Sequence, residues 1–140
     1  MQQIKSWKVD SIRKTQSIAK ELSTLFKMGD IILMQGTLGT GKTFLVQEIC
    51  KQWAVKEDVT SPTFTLIQHY KGIYQINHLD LYRIENMDEL DQLGWDEMIY
   101  SDAVTFIEWP ELLEKYIDFY YKISIDMDND KRVFELWKCA

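Results

Sequence analysis

An α/β fold with a mixed central sheet, antiparallel toward its C-terminal end, is what this sequence predicts, and three observations carry it. Strand-like and helix-like apolar patterns alternate through its first part. A glycine-rich turn joins the most apolar early run directly to a helix-like stretch. The tail holds two β-like segments around a short polar turn. At 140 residues the chain is long enough for one core and short for two, so a single domain over 1–140 is expected.

Taken in order, Asp10 and Ser11 can cap a helix whose apolar positions Ile12, Ala19, Leu22, Leu25 and Phe26 recur at roughly helical spacing, and Met28-Gly29-Asp30 stops it. Ile31 to Gln35 has the pattern of a buried strand. Lys42 to Trp53 follows as a second helix with Leu45, Val46, Ile49 and Trp53 turned inward. After the polar connector Lys56-Glu57-Asp58, "SPTFTLIQHY" opens on a turn and continues β-prone, "GIYQINHLDLY" alternates as its partner, and Lys71-Gly72 between them marks a hairpin. The acidic stretch "ENMDELDQLGWDEM" is expected to be helical with a stop at Gly94 and a solvated acidic face. "AVTFIEWP" is a strongly apolar strand closed by Trp109-Pro110, with a short helix expected in "PELLEKY". "FYYKISIDM" and "RVFELWKC" form the last two strands around Asp128-Asn129-Asp130.

Composition narrows the function. With 46% hydrophobic, 27% charged and 13% aromatic residues the chain has the balance of a folded globular protein. Its longest apolar run falls far short of the roughly 20 residues that span a bilayer. The N-terminal "MQQIK" lacks the apolar core of a secretory signal, so a cytoplasmic location without a membrane partner is expected. Cys50 and Cys139 form no CxxC pair and are expected as reduced thiols. A net charge of −6, with arginine only at Arg13, Arg83 and Arg132, disfavours autonomous binding of nucleic acid, which draws on lysines and arginines neutralising phosphates.

The chemistry is concentrated in "GTLGTGKT". Gly36-Thr37-Leu38-Gly39-Thr40-Gly41-Lys42-Thr43 matches GxxxxGK[ST], the Walker A pattern, between a strand and a helix as that motif requires. Wrapping a polyphosphate in backbone N–H groups demands close approach, which Cβ atoms at the glycine positions would obstruct. The helix N-terminus adds unpaired N–H groups facing the anion. Lys42 can set a compact charge against the β- and γ-phosphates, and the Thr43 hydroxyl can enter the coordination sphere of Mg²⁺. The sequence therefore predicts a three-layer fold like that of P-loop NTPases that binds a nucleotide together with Mg²⁺.

Phosphoryl transfer also needs a carboxylate for the metal and a group that orients the attacking atom. Asp80, near the end of "IYQINHLD", is one candidate. Glu108, ending the more apolar "AVTFIE", has the better pattern: a hydrophobic strand delivering an acid at its C-terminal edge, where open α/β sheets bind ligands. Either residue could instead cap a turn.

Three further stretches follow the Walker A loop in order: "SPTFTL" at Ser61 to Leu66, "HLDLYR" at His78 to Arg83 and "IEWPE" at Ile107 to Glu111. With the loop they resemble the TsaE (YjeE) family, bacterial P-loop ATPases required for forming threonylcarbamoyladenosine at position 37 of tRNA. The resemblance spans most of the chain. It implies that Thr43 and Glu108 hold the metal, that Lys42 and the loop amides from Leu38 onward hold the phosphates, and that Asp80 is needed for hydrolysis. It further implies that Trp109 lies beside the phosphate end, that Thr63 resembles a switch residue and that the start of the first helix, near Ser11, meets the base. Its implied partners are the TsaD- and TsaB-type subunits of the tRNA threonylcarbamoyl transferase complex, with tRNA reached only through them and ATP binding or hydrolysis resetting the complex. Hydrolysis by the chain alone is expected to be slow.

The loop departs from the family's usual G[DE]LGAGKT at two places, Thr37 for an acid and Thr40 for alanine. Neither removes a glycine or the lysine, so binding should survive, while loss of the acid at 37 could alter metal ordering or the hydrolysis rate. Phe64 and Leu66 are expected in the core. His69 is expected to be structural, Tyr82 to pack with its hydroxyl satisfied, and Trp95 and Trp137 to be packing residues. His78 is open between a structural hydrogen-bonding role and a functional one, and Arg83 between an ion pair and a protein contact. A small-molecule or nucleotide kinase of the P-loop class is the alternative, against which stands the lack of a basic lid. A GTPase switch is disfavoured because Asp91-Gln92-Leu93-Gly94 spells DxxG inside a helical stretch and NKxD is missing. A scaffold that binds ATP only as a conformational signal is a further reading.

Overall fold

The computed structural model describes residues 1–37, 41–60 and 66–140. The expectations for Leu38, Gly39, Thr40, Thr63 and Phe64 lie outside those residues. In chain order the elements are strand β1 (Gln2–Val9), helix α1 (Ile12–Leu25), β2 (Ile31–Gly36), α2 (Lys42–Gln52), β3 (Ile67–Lys71), β4 (Gln75–Asp80), α3 (Met87–Leu93), α4 (Trp95–Ile99), β5 (Val104–Glu108), β6 (Tyr120–Asp128) and β7 (Lys131–Cys139). Two 3-10 turns, Pro110–Leu112 and Glu114–Tyr116, separate β5 from β6.

The strands form one seven-stranded sheet in the order β1-β7-β6-β2-β5-β4-β3. β2 lies parallel to both β5 and β6, and β5 parallel to β4. The pairs β3–β4, β6–β7 and β1–β7 are antiparallel. Both flanks of the sheet are thus antiparallel, while its centre is the parallel arrangement expected of strands linked by helical crossovers.

Period-2 alternation divides each central strand between two cores. Ile32, Met34, Ile76, Val104 and Phe106 face one side with Ile18, Leu22 and Phe26 of the α1 segment and Leu45, Val46 and Ile49 of α2. Ile31, Leu33, Leu79 and Ile107 face the other with Leu90, Ile99, Leu113 and Ile117. The result is the expected three-layer α/β architecture. The Trp53 indole N–H donates to the Ser23 carbonyl at 3.1 Å and ties the end of α2 to α1.

Most expected boundaries hold, and the differences have local causes. Ser11 caps α1, its hydroxyl accepting from the Lys14 N–H at 3.1 Å, but Ile12 faces solvent and Ile18 takes the place in the core. β1 was not expected: only Trp7 and Val9 of it are buried, and an irregularity between Gln3 and Lys5 breaks its register, so its periodicity is weak. The acidic helix divides at Gly94, whose φ of 70° ends α3 and starts α4. "PELLEKY" forms 3-10 turns in place of a short helix: Trp109 stands left-handed at φ 57°, and Pro110 opens the first of them. Among the described residues no helix is long and apolar enough to cross a membrane.

Candidate functional site

The site lies where the C-terminal ends of three parallel strands meet the start of α2. In register across the sheet, Met34 of β2 stands beside Glu108 of β5, and Glu108 beside Asp80 of β4. Because His78 and Asp80 are two apart on β4, and Phe106 and Glu108 two apart on β5, all four belong to the face that α2 covers. Glu108, Asp80 and His78 are all buried there. Buried carboxylates require donors, and the fold supplies them.

Glu108 accepts from the Thr43 hydroxyl, at 3.1 Å to Oε2 and 3.3 Å to Oε1. The His78 Nε2 lies 2.6 Å from Glu108 Oε2, a charge-assisted length. Asp80 Oδ1 accepts from the backbone N–H of Tyr82 at 2.9 Å, a turn closed onto its own strand end. Leu81 donates its N–H to the Glu108 carbonyl at 3.0 Å, joining the two strand ends beyond the ladder.

Lys42 begins α2 behind Gly41, whose φ of 105° is open to glycine and strained for other residues. Its ammonium donates to the Gly36 carbonyl at 2.7 Å and lies 3.6 Å from the centroid of the Trp109 ring, within cation–π range. Burial lowers the Lys42 pKa, and the negative charges of Glu108, Asp80 and Glu111 oppose that shift. Trp109 itself sits in the left-handed region at φ 57°, a conformation costing about 1–3 kcal/mol for a residue with a side chain. Its ring also packs against that of Tyr82, with centroids 4.8 Å apart.

The structure therefore brings together Gly36, Gly41, Lys42, Thr43, Asp80, Glu108 and Trp109 from three separate stretches of sequence. Thr37 continues from β2 and is exposed. Ser11 is engaged as the cap of α1, and none of the contacts described for it joins it to the others. His69 is held structurally, its Nδ1 2.8 Å from Asn77 Oδ1. Tyr82 departs from its expected packing: it is half exposed, with its ring against Trp109. Sequence reasoning left His78 undecided and gave no contact between Lys42 and Trp109. The signal for His78 was its position two residues before Asp80 on an alternating strand.

A family model for "Threonylcarbamoyl adenosine biosynthesis protein TsaE" matches residues 9–134. The chain belongs to the TsaE family. The tRNA threonylcarbamoyladenosine biosynthesis protein TsaE of Bacillus subtilis is 36% identical over 118 residues, covering 84% of this chain and 73% of that protein. The Rickettsia typhi TsaE is 36% identical over 137 residues, with 93% and 92% covered, and the Aquifex aeolicus TsaE 33% identical over 143, with 99% of each covered. The crystal structure of Bacillus subtilis YdiB superposes with a TM-score of 0.82 at 26% identity, covering 99% of this chain and 86% of that one. The motifs read as TsaE-like supply the residues just described: "HLDLYR" contributes His78, Asp80 and Tyr82, and "IEWPE" contributes Glu108 and Trp109.

Proposed function

We propose that this chain is a Mg-ATP-binding ATPase of tRNA threonylcarbamoyladenosine biosynthesis that acts on the protein subunits of the transferase complex, of TsaD and TsaB type, and meets tRNA only through them. The observation that carries the reading is the convergence of Lys42, Thr43 and Glu108 at the N-terminus of α2. The donor set suits magnesium: a hydroxyl and a carboxylate are hard oxygen ligands, and Mg²⁺ takes one or two carboxylates along with substrate phosphates. Among the described residues no group of three or more His, Cys, Asp or Glu could hold a metal ion, so phosphates and water would complete the sphere.

In this reading the N–H groups at the start of α2 and the Lys42 ammonium bind the phosphates. Lys42 is buried with Glu108, Asp80 and Glu111 near enough to act on its charge, and its ammonium can turn to an anion once it leaves the Gly36 carbonyl. Thr43 and Glu108 hold the metal, whose charge offsets that developing on the phosphoryl oxygens. Asp80, adjacent to Glu108 in register, supplies the second carboxylate needed for hydrolysis. The net charge of −6 favours contact with protein subunits over direct contact with tRNA.

Calorimetry with Mg-ATP on the parent chain tests the binding step, and phosphate release together with modified adenosine in the complex reconstituted with tRNA tests turnover. Lys42→Ala is expected to abolish binding. Asp80→Ala and Glu108→Ala are expected to spare much of it and lose turnover. Absence of heat with the parent chain, alone and in the complex, would refute the proposal, as would parental hydrolysis by both carboxylate variants. A phosphorylated metabolite in place of free phosphate would move the chain to the kinase class.

A further inference from the structure

Glu108 has two carboxylate oxygens with different surroundings. Oε2 takes the 2.6 Å contact from His78 Nε2 and the 3.1 Å bond from Thr43, whereas Oε1 takes only the 3.3 Å bond from Thr43 among the described residues. The imidazole is fully buried, and its position is fixed from behind: the Tyr70 hydroxyl lies 3.4 Å from Nδ1. That hydroxyl is anchored in turn by the Gln68 side chain and by the Thr60 carbonyl, 3.3 Å away. A chain of contacts thus runs from the last described residue before the "SPTFT" segment through β3 and β4 to the acid at the end of β5.

We infer that His78 is a positioning residue: its Nε2–H clamps Glu108 Oε2 and so presents Oε1, beside the Thr43 hydroxyl, as the oxygen that meets the magnesium. The inference rests on the Mg-ATP reading above. The geometry requires a proton on Nε2, and the neutral tautomer carrying it and the imidazolium both provide one, so the clamp does not depend on the charge of the ring. Left alone, a glutamate has three side-chain torsions with which to turn away from Thr43. A hydrogen bond at 2.6 Å removes that freedom before the metal arrives. The Tyr70 hydroxyl, 3.4 Å from Nδ1, packs against the far side of the ring from Glu108. A purely structural histidine would need its polar atoms satisfied, but would not need to point at an acid shared with the Walker A threonine.

The test is a Mg²⁺ titration of ATP binding, followed by calorimetry on the full chain and started from a metal-free baseline in EDTA, with His78→Leu and His78→Gln. Leucine removes the donor. Glutamine keeps an N–H at about the reach of Nε2. The leucine variant should need about 10–100-fold more Mg²⁺ for the half-maximal effect, the range typical when a group orienting a metal ligand is lost. The glutamine variant should stay within about threefold of the parent, and the metal-free baseline should not move in either. If the leucine variant fails to fold, His78→Asn replaces it, since its shorter amide falls short of Glu108. A leucine or asparagine variant with the parental Mg²⁺ midpoint would overturn the inference while leaving the Mg-ATP reading intact. So would a glutamine variant as impaired as the leucine one, because ring packing and not the donor would then be at work. A parent chain whose ATP binding ignores Mg²⁺ altogether would overturn the Mg-ATP reading and this inference with it.

Discussion

Gly72 at the tip of the β3–β4 hairpin is where a single methyl group should do the most damage outside the site. A Cβ at this position would overlap the Trp53 carbonyl oxygen, stand 2.9 Å from Val55 Cγ2 and 3.0 Å from the Trp53 carbonyl carbon. Two of these are backbone atoms at the end of α2 and cannot rotate away. The same carbonyl accepts from the Ile73 N–H at 2.7 Å, and the Trp53 indole packs edge-on to Tyr74 with centroids 5.1 Å apart. Gly72→Ala must therefore lift the hairpin off α2 or push the end of α2 aside. Losing the Ile73 bond costs about 1 kcal/mol, and overpacking against backbone adds about 1–3 kcal/mol, for a total of about 2–4 kcal/mol. In a chain of this size that corresponds to a fall in melting temperature of about 6–20 °C. Urea unfolding followed by circular dichroism measures it, with Gly29→Ala as the comparison: Gly29 has φ +93°, and a Cβ there would meet no atom within 4 Å, so its cost of about 1–2 kcal/mol is conformational. Asparagine, which tolerates the left-handed region, should recover stability at 29 but not at 72. A Gly72→Ala variant within about 0.5 kcal/mol of the parent would refute the close seating of the hairpin that carries Tyr70, His78 and Asp80.

Four other outcomes are expected. Thr105→Val should stabilise the fold by about 1 kcal/mol in the same urea assay, because the buried Thr105 hydroxyl has no hydrogen-bond partner among the described residues and valine keeps its shape. Phe106→Ala should cost about 3–5 kcal/mol, since that ring sits at the centre of the α1–α2 core with Phe26 and Trp53 at 6.4 and 6.1 Å. Burial pushes the Tyr70 hydroxyl and the Cys50 thiol each up to about 12, from 10.0 and 9.0; the folded chain then retains protons that the unfolded chain releases. Stability should be complete below about pH 9 and fall as pH rises toward 12, with a shallower fall in Tyr70→Phe and Cys50→Ala. For the same reason mass spectrometry after alkylation of the native chain near pH 8 should find Cys139, which is partly exposed, labelled and the buried Cys50 protected until denaturant is added.

Local patterns by themselves determined much of this protein. The apolar runs of Ile31 to Gln35 and of "AVTFIE" identified the two central strands, Ser11 announced the cap of α1, and the spacing of Gly36, Gly41, Lys42 and Thr43 identified the strand-loop-helix connection without reference to any tertiary contact. Those signals are local because backbone torsions, capping and period-2 burial are set by residues within one turn or one strand. β1 escaped because an edge strand with only Trp7 and Val9 buried carries too little alternation to stand out from a coil. Only the tertiary structure decided that Thr43 and Glu108, 65 residues apart, share a hydrogen bond, that Trp109 covers Lys42, and that His78 turns toward Glu108. Such contacts depend on which strands become neighbours and in what register. That choice is made by the burial of two whole sheet faces at once, and no short stretch of sequence contains it.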